Sequence, residues 1–409
     1  MKVLWIKSDF PLPADTGGKI RTRHLLTELA KRAEVTFLCY ASPDLDQRYL
    51  AEMKGYGVTV ATVTRPEENK QGIAFYLRVL AKLLSPRPYI VNKYITGEMK
   101  AKVQELTASG KCDVVICDFL EMAWCREFVG NVPTVLFEHN VETMIWRRYH
   151  EVETDPLKRM YFGYEKQRLA RFEADACARF DHVLTVSDQD GEQLKREFGL
   201  PRYTVLPTGV DIEYFRPQSG EIKNRIVFCG SMDWMPNIDG FWWFYKSIYP
   251  QLRHEVPDIS FAVVGRRPGD DIKAVAETDN SITITGTVDD VRSHVSAGQV
   301  YIVPLRVGGG TRIKIYEAMA MKKCVLATSI GAEGLPVTNG ENIVIADGEK
   351  QFAETLKELL RDDNKRNKIA DAGYRLVTGN YGWGRAADIL YDTLHSITVE
   401  HDADRALRG

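Results

Sequence analysis

Short apolar runs separated by longer stretches of mixed polarity recur along the whole chain. Residues 3–6, 35–40, 58–63, 114–117, 134–137 and 183–186 have strand length and are rich in β-branched, leucine and aromatic side chains. Runs of that kind predict strands buried on both faces. Between them, segments such as 20–32 and 98–106 space their apolar residues as an amphipathic helix does. A second series, at 226–229, 259–264, 282–285, 300–304, 325–328 and 343–345, repeats the alternation. Strand–helix–strand alternation implies parallel sheets covered by helices on both faces. The stretch 206–224 holds Pro207, Gly209, Pro217 and Gly220 in polar fill and reads as a linker between the two series. The expected fold class is therefore α/β, with two tandem doubly wound domains facing a central cleft. Ligands of such sheets bind at the carboxyl ends of the strands.

Composition narrows the functional classes. The 409 residues, 44% of them hydrophobic and 27% charged, suit two domains with sizeable cores. The net charge of -2, from 54 basic and 56 acidic side chains, lacks the basic excess of a nucleic-acid binder. Seven cysteines are scattered without a CxxC pair, which reads as reduced thiols in a reducing compartment. The first apolar run stops at Lys7, too soon for a signal peptide, and no window reaches 18 uninterrupted apolar residues. The expected location is the cytoplasm.

One segment carries candidate chemistry. After the run at 300–304 come Gly308, Gly309, Gly310 and Thr311, then Arg312, Lys314 and Glu317. Three glycines before a helix let backbone N–H groups turn toward an anion, and the helix dipole adds positive charge there. Arg312 and Lys314 at that end oppose the dipole unless a phosphate lies between them. The competing reading is a plain turn with solvated cations. The pattern is neither a Walker A loop nor GxGxxG, which disfavours a P-loop NTPase and a nicotinamide-dependent dehydrogenase.

The run Glu317-Ala318-Met319-Ala320 with the glycines before it resembles the signature of retaining glycosyltransferases with the GT-B fold, family 4 type. The likeness extends from Gly17-Gly18 to the last helix, and points to the subgroup of exopolysaccharide and cell-surface-polysaccharide sugar transferases. The resemblance implies a Rossmann-like acceptor-binding domain at 1–205, a linker at 206–224 and a Rossmann-like nucleotide-sugar domain at 225–381. Residues 382–409 would form a helix packing back on the first domain, plus a tail. It implies that Glu317 binds the donor's ribose hydroxyls; a second glutamate of the family pattern would fall at Gly309 and is absent. The family's Arg and Lys after the first strand of the second domain are replaced by Gly230-Ser231-Met232-Asp233-Trp234-Met235-Pro236-Asn237, so Arg312 and Lys314 are the expected substitutes. Gly17 and Gly18 would close over the diphosphate and the acceptor, with Gly230, Ser231, Arg266 and the backbone at Val288 completing the donor site. His139, in Glu138-His139-Asn140, would hydrogen-bond the transferred sugar. Asp188-Gln189-Asp190 reads instead as a helix start capped by Ser187, not as a metal motif.

The implied activity is metal-independent sugar transfer with retention, from a UDP- or GDP-sugar to a saccharide or lipid-linked hydroxyl, with His139, Arg312 and Lys314 as catalytic residues. No cofactor beyond the donor and no nucleic-acid partner are expected. Basic-aromatic stretches at 73–84, 146–149 and 158–162 fit either peripheral contact with the inner face of the cell membrane or ordinary helix packing. An epimerase or hydrolase of the same fold, and a non-catalytic partner subunit, stay as alternatives.

Overall fold

The computed structural model describes residues 1–64, 85–108, 110–153, 155–307 and 313–408. The chain divides into two compact units, Met1–Pro207 with Ala386–Gly409, and Thr208–Arg385.

The first unit is built on a parallel sheet of β1 (Lys2–Lys7), β2 (Glu34–Ala41), β3 (Val58–Thr64), β4 (Val114–Asp118), β5 (Thr134–Glu138), β6 (His182–Thr185) and β7 (Tyr203–Val205). The spatial order is β3-β2-β1-β4-β5-β6-β7. Leu4, Ile6, Val115, Cys117 and Leu136 enter one buried cluster, while Trp5, Phe37, Ile116 and Phe137 are equally buried on the other strand face. Continuous apolar runs, rather than alternating ones, are what a sheet covered on both faces requires. Its helices are α1 (Gly17–Leu29), α2 (Gln47–Gly55), α3 (Tyr89–Asn92), α4 (Gly97–Leu106), α5 (Glu142–Val152), α6 (Pro156–Arg179) and α7 (Asp188–Phe198), with a 3₁₀ segment at Leu120–Phe128. Ser187 caps α7, accepting from the Asp190 amide at 3.1 Å and donating to the Asp190 carboxylate at 2.6 Å.

The second unit repeats the plan. β8 (Arg225–Cys229), β9 (Ser260–Val264), β10 (Ile282–Ile284), β11 (Val300–Val303), β12 (Cys324–Ala327) and β13 (Val344–Ile345) run parallel in the order β10-β9-β8-β11-β12-β13. Helices α8 (Met235–Trp243), α9 (Tyr249–Glu255), α10 (Asp270–Thr278), α11 (Arg292–Ala297), α12 (Ile313–Ala320), α13 (Glu349–Arg361) and α14 (Asp363–Asn380) flank it. An aromatic cluster anchors one face, with Phe244 4.8 Å from Phe261 and Trp243 edge-on to Phe352 at 5.6 Å. The last helix, α15 (Trp383–Arg408), starts in the second unit and belongs to the first from Ala386 onward.

Candidate active site

In each sheet the strand order reverses once, between β1 and β4 in the first unit and between β8 and β11 in the second. Loops leaving those strand ends diverge to opposite faces and open a crevice, the usual ligand position of such sheets.

At the first reversal, register places Lys7 beside Asp118, residues far apart in sequence. Asp118 is fully buried. Its carboxylate accepts from Trp5 Nε1 at 3.0 Å and Thr22 Oγ1 at 2.7 Å, and Lys7 Nζ lies 3.4 Å away. Burial by itself raises this carboxyl, but Lys7, His139 and Thr22 together hold it well below the usual carboxylate range. His139 Nε2 sits 2.6 Å from Asp118 Oδ1, and its Nδ1 2.7 Å from Arg21 Nη1. A guanidinium can only donate, so Nδ1 is the acceptor and the ring proton is on Nε2, donated to Asp118. Burial drives the imidazole down to about 3, against Asp118 and with Arg21. His139 is therefore neutral with both nitrogens engaged. Burial also lowers Arg21, to about 10.

Phe119 covers this network. Its ring stacks on His139 at 3.7 Å and 16°, and Lys7 Nζ is 4.0 Å from its centroid. Phe119 has φ +75°, a backbone region strained for a residue with a side chain. Gly18 is what makes room: a Cβ there would meet the Phe119 ring at 2.9 Å. Gly17 and Gly18 open α1, which carries Arg21 and Thr22 into the network.

Beside His139 lies a group of buried carboxyls. Glu138 is 1% exposed and neither of its oxygens has a hydrogen-bond partner. Burial, then the neighbouring Glu173, Glu142, Glu121 and Asp190, push it far up. Glu173 accepts from the amides of Glu142 at 2.8 Å and Thr143 at 3.0 Å, capping α5. Burial raises Glu142 to about 8 and Glu173 to about 7.

In the second unit, Gly308, Gly309, Gly310, Thr311 and Arg312 lie outside the described residues. On α12, which follows them, Lys314 is exposed and Glu317, one turn on, is half-buried. Burial raises the Glu317 carboxyl and Lys314 opposes that rise. Burial lifts the Cys229 thiol at the end of β8 to about 11, again against Lys314. Lys314 and Glu317 thus face the reversal between β8 and β11. Gly240 lets α8 close on the exit of β11, since a Cβ there would lie 2.8 Å from Pro304 O. Arg306 is taken by Asp239, with Nε 2.9 Å from Oδ2. Gly230 and Ser231 follow β8, and Arg266 follows β9, its Nε donating to Ser231 Oγ at 2.9 Å. Val288 packs partly buried against the core of this unit, away from the Lys314 turn in sequence and following β10.

The structure thus groups Gly18, Arg21 and His139 in one unit, and Gly230, Ser231, Arg266, Lys314 and Glu317 around strand ends of the other. Reading the sequence alone missed Lys7, Asp118 and Phe119. The available signal was an apolar strand ending in a charged residue, at Lys7 and again at Asp118; only sheet order shows that the two ends are neighbours.

Comparison with known proteins agrees with this architecture. Residues 16–214 match the family model described as Glycosyltransferase Family 4, and residues 223–362 the one described as Glycosyl transferases group 1. An uncharacterized 44.6 kDa protein of the cps region of Klebsiella pneumoniae is 23% identical over 398 residues, covering 93% of this chain and 96% of that one. An MMP alpha-(1->4)-mannosyltransferase of Mycolicibacterium hassiacum is 25% identical over 247 residues, 57% of each chain. Among solved structures, sucrose-phosphate synthase from Thermosynechococcus elongatus superposes with TM-score 0.70 at 14% identity, covering 97% of this chain and 99% of that one. The Anabaena protein Alr3699/HepE, solved in complex with UDP, gives 0.68 at 15% identity over 97% and 100%. Two doubly wound parallel sheets, whole-chain likeness to solved structures of that architecture and family models over both halves make this chain a glycosyltransferase of the GT-B fold.

Proposed function

We propose that the chain transfers a sugar from a UDP- or GDP-sugar to a hydroxyl of a saccharide or lipid-linked acceptor, with retention of configuration and without a metal. The observation that carries this reading is the pairing of exposed Lys314 with half-buried Glu317 one turn apart on α12, at the strand reversal of the second unit. An ammonium there meets the diphosphate as its charge grows on departure, and a carboxylate one turn deeper accepts the ribose hydroxyls. Arg312 and the amides of Gly308, Gly309 and Gly310 join Lys314 on the diphosphate in this reading, while Gly230, Ser231, Arg266 and Val288 border the donor. Gly17 and Gly18 border the acceptor side. His139 contributes position rather than proton removal, because Arg21 already uses its lone pair. Support comes from the Anabaena neighbour solved with UDP and from the mannosyltransferase relative. The enzyme works in the cytoplasm, meeting lipid-linked acceptors at the membrane surface through the exposed start of α6.

Calorimetry with nucleoside diphosphates and the matching nucleosides tests the assignment. Lys314→Ala is expected to weaken diphosphate binding at least tenfold, about 1.4 kcal/mol, with nucleoside binding within twofold of wild type. Equal losses for both ligands contradict the phosphate role. Incubation with donor alone separates transfer from its alternatives: an epimerised sugar, or rapid release of free sugar without acceptor, rejects transfer.

A further inference from the structure

The loop after β8 is held more tightly than a connection needs. Gly230 N donates to Val264 O and Met232 N to Arg266 O, both at 2.9 Å, and Asn237 Nδ2 donates to Ser231 O at 2.9 Å. A Cβ on Gly265 would lie 1.6 Å from Gly230 O, so the exits of β8 and β9 touch backbone to backbone. Met232 is buried at 1% exposure and pins the loop from below. Yet the next apolar residues point outward, Trp234 with 42% and Met235 with 63% of their surface in solvent. The half-exposed indole thus stands on a braced loop at the carboxyl end of a central strand, where sheets of this kind bind ligands.

Polar groups converge beside it. Ser231 Oγ accepts from Arg266 Nε at 2.9 Å and donates to Asp233 Oδ1 at 2.5 Å. Arg267 Nη1 lies 3.2 Å from Asp233 Oδ2, on a backbone with φ +52°, strained for arginine. Asp233 keeps lone pairs for further donors beyond these two.

We propose that Trp234 is a stacking platform for a pyranose ring whose hydroxyls donate to Asp233. The inference rests on the transferase reading and names a substrate contact within it. The indole face suits the C–H face of a pyranose, and the carboxylate suits hydroxyl donors. A phosphate is disfavoured at this point, because the carboxylate is ionised: the Ser231 hydrogen bond, first among its influences, lowers it below the usual range. The ring belongs either to the donor's sugar or to an acceptor saccharide.

Steady-state kinetics with donor and acceptor varied separately, together with nucleoside diphosphate calorimetry, decide it. Trp234→Ala is expected to raise KM at least tenfold for one sugar-bearing substrate, with nucleoside diphosphate affinity within twofold and most of the loss recovered by Trp234→Phe. A rise confined to the donor assigns the ring to the donor; one confined to the acceptor assigns it there. Unchanged KM for both substrates overturns the proposal, as does a loss of nucleoside diphosphate affinity equal to the loss in KM, which would put the indole on the base. If wild-type protein binds no nucleoside diphosphate, the transferase reading falls by itself. The platform is then judged by fluorescence: saccharide quenching present in wild type and absent in Trp234→Phe supports it, and identical titrations reject it.

Discussion

Asp118 shows how much one buried residue can organise. Its carboxylate gathers a lysine and an indole from β1, a histidine from the exit of β5 and a threonine from α1, and through His139 it fixes Arg21. A charge in that position is stabilising only while its partners remain, since removing one side of a buried pair strands the other. Asp118→Asn leaves buried Lys7 with only the longer contact to half-exposed Asp9, 3.8 Å away, and is expected to lower the unfolding free energy by about 3–5 kcal/mol in urea titrations at pH 7. The acid limb is diagnostic. The folded-state carboxyl titrates below its unfolded value of about 3.9, so its contribution is complete above that pH and fades as pH falls through and below it. Wild type is expected to lose stability more steeply than the Asp118→Asn protein between about pH 4 and 2. Parallel acid limbs would show that the network does not hold Asp118 ionised. None of this was readable from residue types: an aspartate closing an apolar run has the same local sequence whether it meets solvent or Lys7, and the neighbour is set by strand order.

At the scale of elements, the basic-aromatic stretches at 146–149 and 158–162 meet in the hairpin of α5 and α6. Trp146 packs edge-on against Phe162 at 5.9 Å and Tyr161 at 6.4 Å, so much of that aromatic content joins the two helices. Stretch 73–84 falls outside the described residues. The start of α6 leaves Leu157, Met160 and Tyr164 72%, 69% and 47% exposed, with the Arg168 guanidinium 5.1 Å from the Tyr164 ring centroid. Their spacing of three and four puts them on one helix face, flanked by exposed Lys158 and Arg159. An apolar stripe edged with cations is the composition of an interfacial helix. Wild-type protein is therefore expected to co-sediment with vesicles containing phosphatidylserine, and Leu157→Glu with Met160→Glu to reduce the bound fraction at least fivefold while leaving the circular dichroism melt unchanged. Binding that is equal in both proteins, or absent in wild type, removes this surface from the reading. The strands themselves were legible within one or two residues, because burial on both faces writes a continuous apolar run. β7 was not: Tyr203–Val205 is three half-buried residues with no such run.

At the scale of the whole molecule, sequence order and spatial grouping part company at the end of the chain. Residues through Pro207 form the first unit, the next 178 or so belong to the second, and the first is completed only from Ala386 onward. α15 supplies Leu390, Leu394 and Ile397 to the interior, each 0–6% exposed. Within the same unit Asp388 pairs with Arg32, Glu400 with Arg202 at 2.8 Å, and the Thr398 hydroxyl reaches the Met1 sulfur at 3.9 Å. The first and last segments of the chain thus share one structure. Leu394→Ala opens a cavity where α15 closes that unit and is expected to lower its stability by about 2–5 kcal/mol. Native-state hydrogen exchange reads this locally: protection should fall across β1 and β2, while nucleoside diphosphate affinity, which the proposed function assigns to Lys314 and Glu317 of the other unit, should stay within twofold. Loss of protection confined to α15 itself would mean that the helix is an appendage. A global fall across Met1–Pro207 would show that the first unit is stable only once α15 is in place, so that unit matures only after the second has been synthesised.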